Sequence, residues 1–91
     1  MLDYFQYVTL NRVALTNSTE CACVSCLGKF DPNMIDEWCT DIDPVTKLFV
    51  PDTAICPGCG IDTIVPNYLI NYTDDDLVKW HAHIYSNIPI N

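Results

Sequence analysis

The sequence predicts a small α+β domain closed by a metal site, with two cysteine knuckles, a short helix between them and an amphipathic helix at the C-terminal end. Three observations predict it. Cys23-Val-Ser-Cys26 and Cys56-Pro-Gly-Cys59 have the C-x2-C spacing that aims two thiolates at one ion, and two such turns complete a closed tetrahedral site. Residues on either side of the second pair are β-branched and bounded by Pro and Gly, as strands are. After Thr73, the residues Leu77, Trp80, His81, Ile84 and Tyr85 recur at i, i+3, i+4, i+7 and i+8, the stripe of a helix with one covered face. The 91 residues are expected to form a single domain, 1–91. A chain of this size buries only roughly 60–65% of its unfolded surface, so a metal staple supplies what the core cannot.

Taken in order, Leu2 to Leu15 is rich in aromatic and β-branched residues without a clean period, and is expected to be a short helix or extended arm leading into a strand near Arg12–Leu15. Thr16 to Thr19 is a polar turn. Cys21 to Phe30 forms the first knuckle, with Gly28 turning the backbone. Asp31-Pro32 starts a helix of two to three turns, which places Met34, Ile35 and Trp38 on one face and Asp36 and Glu37 on the other. Thr40 to Pro51 reads as a loop with a short apolar strand, Leu48-Phe49-Val50. The second knuckle is expected at the tip of a β-hairpin whose outgoing strand, Ile61 to Val65, ends at Pro66. Thr73 caps the last helix, and Asp74, Asp75 and Asp76 interact with its dipole.

Other readings of the cysteines fit less well. A disulfide framework belongs to secreted chains, and Met1 to Gln6 has no basic segment leading into an apolar run. A redox Cys-x2-Cys sits at a helix N-terminus, whereas Cys59 is followed by the strand-like Ile61-Asp62-Thr63-Ile64-Val65. Cys21 could replace Cys23 only through the less usual Cys-x4-Cys spacing, and Cys39, after Trp38, reads as a small buried hydrophobe; both are taken as structural. His81 lies on the apolar stripe and His83 off it, so the two cannot chelate one ion from a regular helix. Helix-start chemistry accounts for the aspartate triplet without a cation. The patterns Asn17-Ser18-Thr19 and Asn71-Tyr72-Thr73 are short enough to occur by chance.

Twelve acidic residues against four basic ones give a formal charge of −8. Arg12, Lys29, Lys47 and Lys79 are too few and too scattered to neutralise a phosphate backbone, so nucleic-acid binding is not expected. No apolar run approaches the roughly 20 residues of a membrane span, and a soluble, cytoplasmic protein is expected. The acidity either keeps the chain soluble or meets a basic protein partner.

The segments Cys23-x2-Cys26-x3-Phe30-Asp31-Pro32, Ile35-Asp36-Glu37-Trp38 and Thr53-Ala54-Ile55-Cys56-Pro57-Gly58-Cys59-Gly60-Ile61-Asp62 resemble a family of small cytoplasmic proteins of bacteria and their phages. The resemblance covers roughly residues 23–65, is weaker through the C-terminal helix and leaves the arm 1–20 outside. It implies a zinc-ribbon-like fold with Cys23, Cys26, Cys56 and Cys59 as ligands of one structural Zn²⁺ per chain, and it implies no reaction. The connection from Cys39 to Asp52 is longer than that family's compact turn, which marks the loop around Asp41 to Leu48, with the arm, as the place for a function private to this chain. The expected function is therefore that of a non-enzymatic module acting through a protein partner, with no catalytic residues. One alternative is an acidic inhibitor of phage type that imitates DNA or blocks a basic site on a host defence or nucleic-acid enzyme. The other is a metal-dependent enzyme, which needs a coordination position open to water.

Overall fold

The computed structural model describes residues 5–86. Expectations for Leu2 to Tyr4, and for the side chain of Tyr85, fall outside the described residues. Helices α1 (Phe5–Val8) and α2 (Arg12–Thr16) come first, then strands β1 (Cys21–Cys23) and β2 (Lys29–Phe30), a 3₁₀ turn (Pro32–Met34), β3 (Trp38–Ile42), β4 (Phe49–Ala54), β5 (Ile64–Pro66) and helix α3 (Asp74–Ser86). The strands form two antiparallel sheets, one of three strands in the order β2-β1-β5 and one of two strands, β3-β4. The α+β class stands as expected.

Alternation along β1 divides the core. Ala22 faces one cluster, with Val8, Val24, Val65, Leu77 and Trp80; its neighbours Cys21 and Cys23 face the other, with Leu15, Ile35, Ala54, Cys56 and Ile64. Helix α3 closes the first cluster through Leu77 and Trp80, both almost fully buried. Its N-terminus is a reciprocal capping box: Thr73 N–H donates to Asp76 Oδ2 (2.9 Å) and Asp76 N–H to Thr73 Oγ1 (3.2 Å). Asp74 pairs with Lys29, so two of the three aspartates are used in starting and seating the helix. His81, on the same stripe, is half-buried with Nδ1 2.8 Å from the Val24 carbonyl oxygen.

Several expectations are corrected. The segment Arg12–Leu15 is helix rather than strand: Ala14 and Leu15 are adjacent and both buried while Val13 is 74% exposed, which a pleated strand with one covered face does not allow. Side chains complete that short helix, since Thr16 Oγ1 and Asn17 Nδ2 donate to the Val13 carbonyl and Ser18 Oγ to that of Ala14. The helix expected after Asp31-Pro32 is a single 3₁₀ turn. Asp31 caps it as anticipated, accepting from Asn33 N–H at 2.9 Å, but Ile35 is already extended and Trp38 pairs with Ala54, so the ladder takes the residues that further turns would have used. Cys39 consequently lies within β3, half-buried, rather than at a helix end.

The second knuckle is not the tip of a hairpin. Strand β4, entering it, pairs with β3, and β5, leaving it, pairs with β1. Cys56–Cys59 is therefore a bridge between the two sheets. The true hairpin is β3–β4, where only a loop with a short strand was expected. Asp43 closes its turn, accepting from Val45 N–H (2.8 Å) and Thr46 N–H (3.3 Å), and Lys47 takes φ 64°.

Asn11 ties the N-terminal helices to both sheets. Its buried amide donates to the carbonyls of Tyr7 (3.1 Å) and Ile64 (2.8 Å) and accepts from Ala54 N–H (3.0 Å). Beside it Arg12 donates to the Pro51 carbonyl (3.1 Å) and stacks over the Trp38 ring, 4.5 Å from its centroid. The segment 7–20 is thus tied to both sheets and contributes Val8, Asn11, Ala14 and Leu15 to the buried interior. Among the described residues no helix is long and apolar enough to cross a membrane.

Candidate metal centre

The two knuckles repeat one backbone turn. In the first, Cys23 N–H donates to the Gly28 carbonyl (2.9 Å) and Leu27 N–H to that of Cys23 (2.9 Å); in the second, Cys56 N–H donates to Ile61 (2.9 Å) and Gly60 N–H to Cys56 (3.0 Å). The fifth residue of each turn has positive φ, 63° at Leu27 and 77° at Gly60. The left-handed position of the first knuckle therefore falls on Leu27 and not, as expected, on Gly28. What Gly28 supplies is room: a Cβ there would lie 2.8 Å from the Phe30 ring, and one at Gly58 would lie 3.1 Å from the same ring. Phe30 is wedged against both knuckles and holds them at a fixed separation.

These turns bring Cys23, Cys26, Cys56 and Cys59 together, with all four sulfurs within 4.8 Å of one another. The Cys23–Cys59 separation is 3.6 Å and that of Cys26–Cys56 3.7 Å. Four sulfurs about 2.3 Å from one ion at tetrahedral corners lie roughly 3.8 Å apart, so the donor set fits a single ion. Cys21 and Cys39 stay outside it. The Cys21 thiol is buried and donates to the Phe30 carbonyl (3.4 Å), while that of Cys39 lies 3.9 Å from the Thr40 carbonyl. Among the described residues no other group of three or more His, Cys, Asp or Glu side chains converges in this way.

Cys23 and Cys56 are buried; Cys26 and Cys59 are exposed. The buried pair receives backbone hydrogen bonds: Cys26 N–H donates to Cys23 Sγ (3.4 Å), and Gly58 N–H (3.3 Å) and Cys59 N–H (3.4 Å) donate to Cys56 Sγ. Thr63 Oγ1 lies 3.2 Å from Cys23 Sγ and 3.0 Å from Ser25 Oγ. Thr63 donates its one proton to Ser25 in this arrangement; beside a Cys23 thiolate that proton turns to sulfur instead, and the Thr63 oxygen then accepts from Ser25.

Burial alone would push the Cys23 thiol up, but the hydrogen bonds from Thr63 and from the backbone of Cys26 and Ser25 outweigh it and lower its pKa. Cys26 is raised, first by loss of water around its sulfur and then by Cys23 and Cys56. The same causes push Cys59 up to about 12. Cys21 is pushed to about 12 chiefly by burial, and next by the charge of Cys56. Four thiolates repel one another, and a dication at their centre reverses that repulsion. An all-sulfur tetrahedral set suits zinc or iron and leaves no position for water.

This is a small α+β domain with a four-cysteine cluster at the junction of its two sheets. No protein-family model, curated protein or solved structure matches the chain. The residues that sequence reasoning missed are Thr63, Ser25 and Asn11, and it met Phe30 only as a motif position, without its place against both knuckles. Thr63 follows Cys59 at a distance that carries no pattern of its own, and only the packing shows its part.

Proposed function

We propose that this chain is a non-enzymatic, zinc-ribbon-like module in which one Zn²⁺, held by Cys23, Cys26, Cys56 and Cys59, is structural, and that it acts in the cytoplasm through contact with a protein partner. The observation that carries the reading is the closed set of four sulfurs at tetrahedral spacing, supported by N–H donors to the buried pair. Zinc hydrolases and deaminases keep a position for water, and four thiolates fill every position of a tetrahedral ion. Placement supports a structural role as well. The first knuckle belongs to the three-stranded sheet and the second joins it to the two-stranded one, so the ion closes the fold across its main seam.

The test is metal stoichiometry together with the absorption spectrum of a Co²⁺-substituted sample. One equivalent per chain and a four-thiolate tetrahedral spectrum are expected; two equivalents, none, or fewer than four thiolates overturn the assignment. Cys56→Ser should abolish the cooperative thermal transition, because apparent zinc free energies of about 10–16 kcal/mol match or exceed the whole stability of a small domain. A Cys56→Ser protein that melts like the parent would show that the ion is dispensable for folding.

A further inference from the structure

The β3–β4 hairpin exposes more apolar surface than its fold requires. Val45 is 86% exposed, Phe49 74%, Leu48 63% and Ile42 51%, and none belongs to either core cluster. Ile42 and Phe49 are paired across the strands, so their side chains are neighbours on one face, and Val45 and Leu48 lie in the turn that joins them. That turn is held by polar and backbone groups: Asp43 Oδ1 with the N–H groups of Val45 and Thr46, Thr46 Oγ1 with Leu48 N–H, and Lys47 in the left-handed region. Four apolar side chains at least half exposed within eight residues are a concentration of exposed apolar surface of the kind that marks interaction sites.

Charge selects the occupant. Between Asp36 and Ala54 stand five carboxylates, Asp36, Glu37, Asp41, Asp43 and Asp52, against Lys47 and the one cation packed on the hairpin from outside, Arg12. A second copy of a chain of formal charge −8 would bring like charges together around the patch, and a nucleic acid would be repelled by them. We propose that the hairpin tip is the docking surface for a basic protein partner, one offering an apolar cleft to Phe49 and Val45 and lysine or arginine side chains to the carboxylates along the hairpin. This rests on the protein-interaction reading above and assigns it to residues 42–49. Access is open, because the N-terminal segment covers the far edge of β4 through Asn11 and Arg12, while β3 has no further strand beside it among the described residues.

The experiment uses the zinc-loaded full chain, ¹⁵N-labelled, titrated with three synthetic peptides of equal length: an amphipathic leucine–lysine helix, a lysine–serine peptide of the same charge and an uncharged leucine–serine peptide. The leucine–lysine peptide is expected to shift the amides of residues 42–49 first and to weaken with NaCl. Its Kd should rise at least about tenfold for the double variant Val45→Ser/Phe49→Ser, which should keep its zinc and its Tm. Shifts confined to another face, or equal binding by the double variant, overturn the hairpin assignment and leave an interaction module that uses a different surface. Equal affinity for the lysine–serine peptide reduces the contact to charge and overturns the proposal, as does no binding at all. So does a dimer in sedimentation that the double variant dissolves, since the patch would then be an interface between copies. Metal stoichiometry on the same sample reports separately whether the zinc reading holds.

Discussion

Thr63 and Asn11 each do with one polar side chain what no pattern of apolar residues could. Cys23 is buried, and its thiolate needs donors; Thr63 Oγ1 at 3.2 Å supplies one and is held in turn by Ser25. Thr63→Val keeps the shape and removes the proton, so zinc affinity measured by chelator competition is expected to fall about 10–100-fold, with Thr63→Ser recovering most of it. An unchanged affinity would reduce Thr63 to a packing residue. Asn11 is a separate matter, because its three hydrogen bonds satisfy backbone groups on β4, on β5 and at the end of α1. Asn11→Ala leaves the buried Ala54 N–H and Ile64 carbonyl unpaired. The expected cost is about 3 kcal/mol, a fall in Tm on the order of 10–20 °C for the zinc-loaded domain in thermal denaturation. A drop of only a degree or two would mean that water replaces the amide.

At the scale of elements, the two knuckles differ in one informative place. The left-handed residue is Gly60 in the second and Leu27 in the first. A leucine there costs about 1 kcal/mol relative to glycine, and a Cβ at Gly60 would meet nothing within 4 Å, so the substitution Gly60→Ala isolates the backbone term. It should destabilise by about 1 kcal/mol in denaturant unfolding, while Leu27→Gly gains up to the same amount less what is lost from the apolar groove that Leu27 lines with Leu77 and Val78 of α3. Loss of stability in both variants would show that the leucine's contacts outweigh its strain. The same elements show how far the sequence was legible. Helix α3 and the cysteine set could be read because each is a local pattern: a capping residue with a 3.6 period, and a fixed C-x2-C spacing. The start signals after Asp31 are local and predict a helix longer than the 3₁₀ turn that forms, whereas what stops it, the pairing of Trp38 with Ala54, lies sixteen residues away. Strands β4 and β5 flank one knuckle, and that adjacency in sequence predicts that they pair with each other. Each found a better neighbour elsewhere, and nothing in the run of β-branched residues encodes which.

For the molecule as a whole, the ion and the proton compete for the same sulfurs, and the sign of that competition sets how the fold responds to acid. Cys26 is raised and Cys59 stands at about 12, so at neutral pH both exposed thiols hold protons that must leave when the metal enters. Uptake of one Zn²⁺ at the proposed site is then expected to release at least these two protons and at most one per thiol, about two to four. The metal-bound state has the fewer protons, so lowering the pH favours the metal-free state: each unit of acidification lowers the apparent affinity about tenfold per proton released, or roughly 10²–10⁴-fold. Because the second knuckle bridges the sheets, loss of the ion should open the seam between them along with the site. Zinc competition at pH 6, 7 and 8 is expected to show that slope, with proton release in weak buffer giving the same number, and near-UV circular dichroism should collapse at the pH where zinc departs. An affinity independent of pH would mean that the four thiols are already ionised before the metal arrives. Zinc leaving while the aromatic signal persists would place the stability of the domain in Asn11 and the two apolar clusters instead.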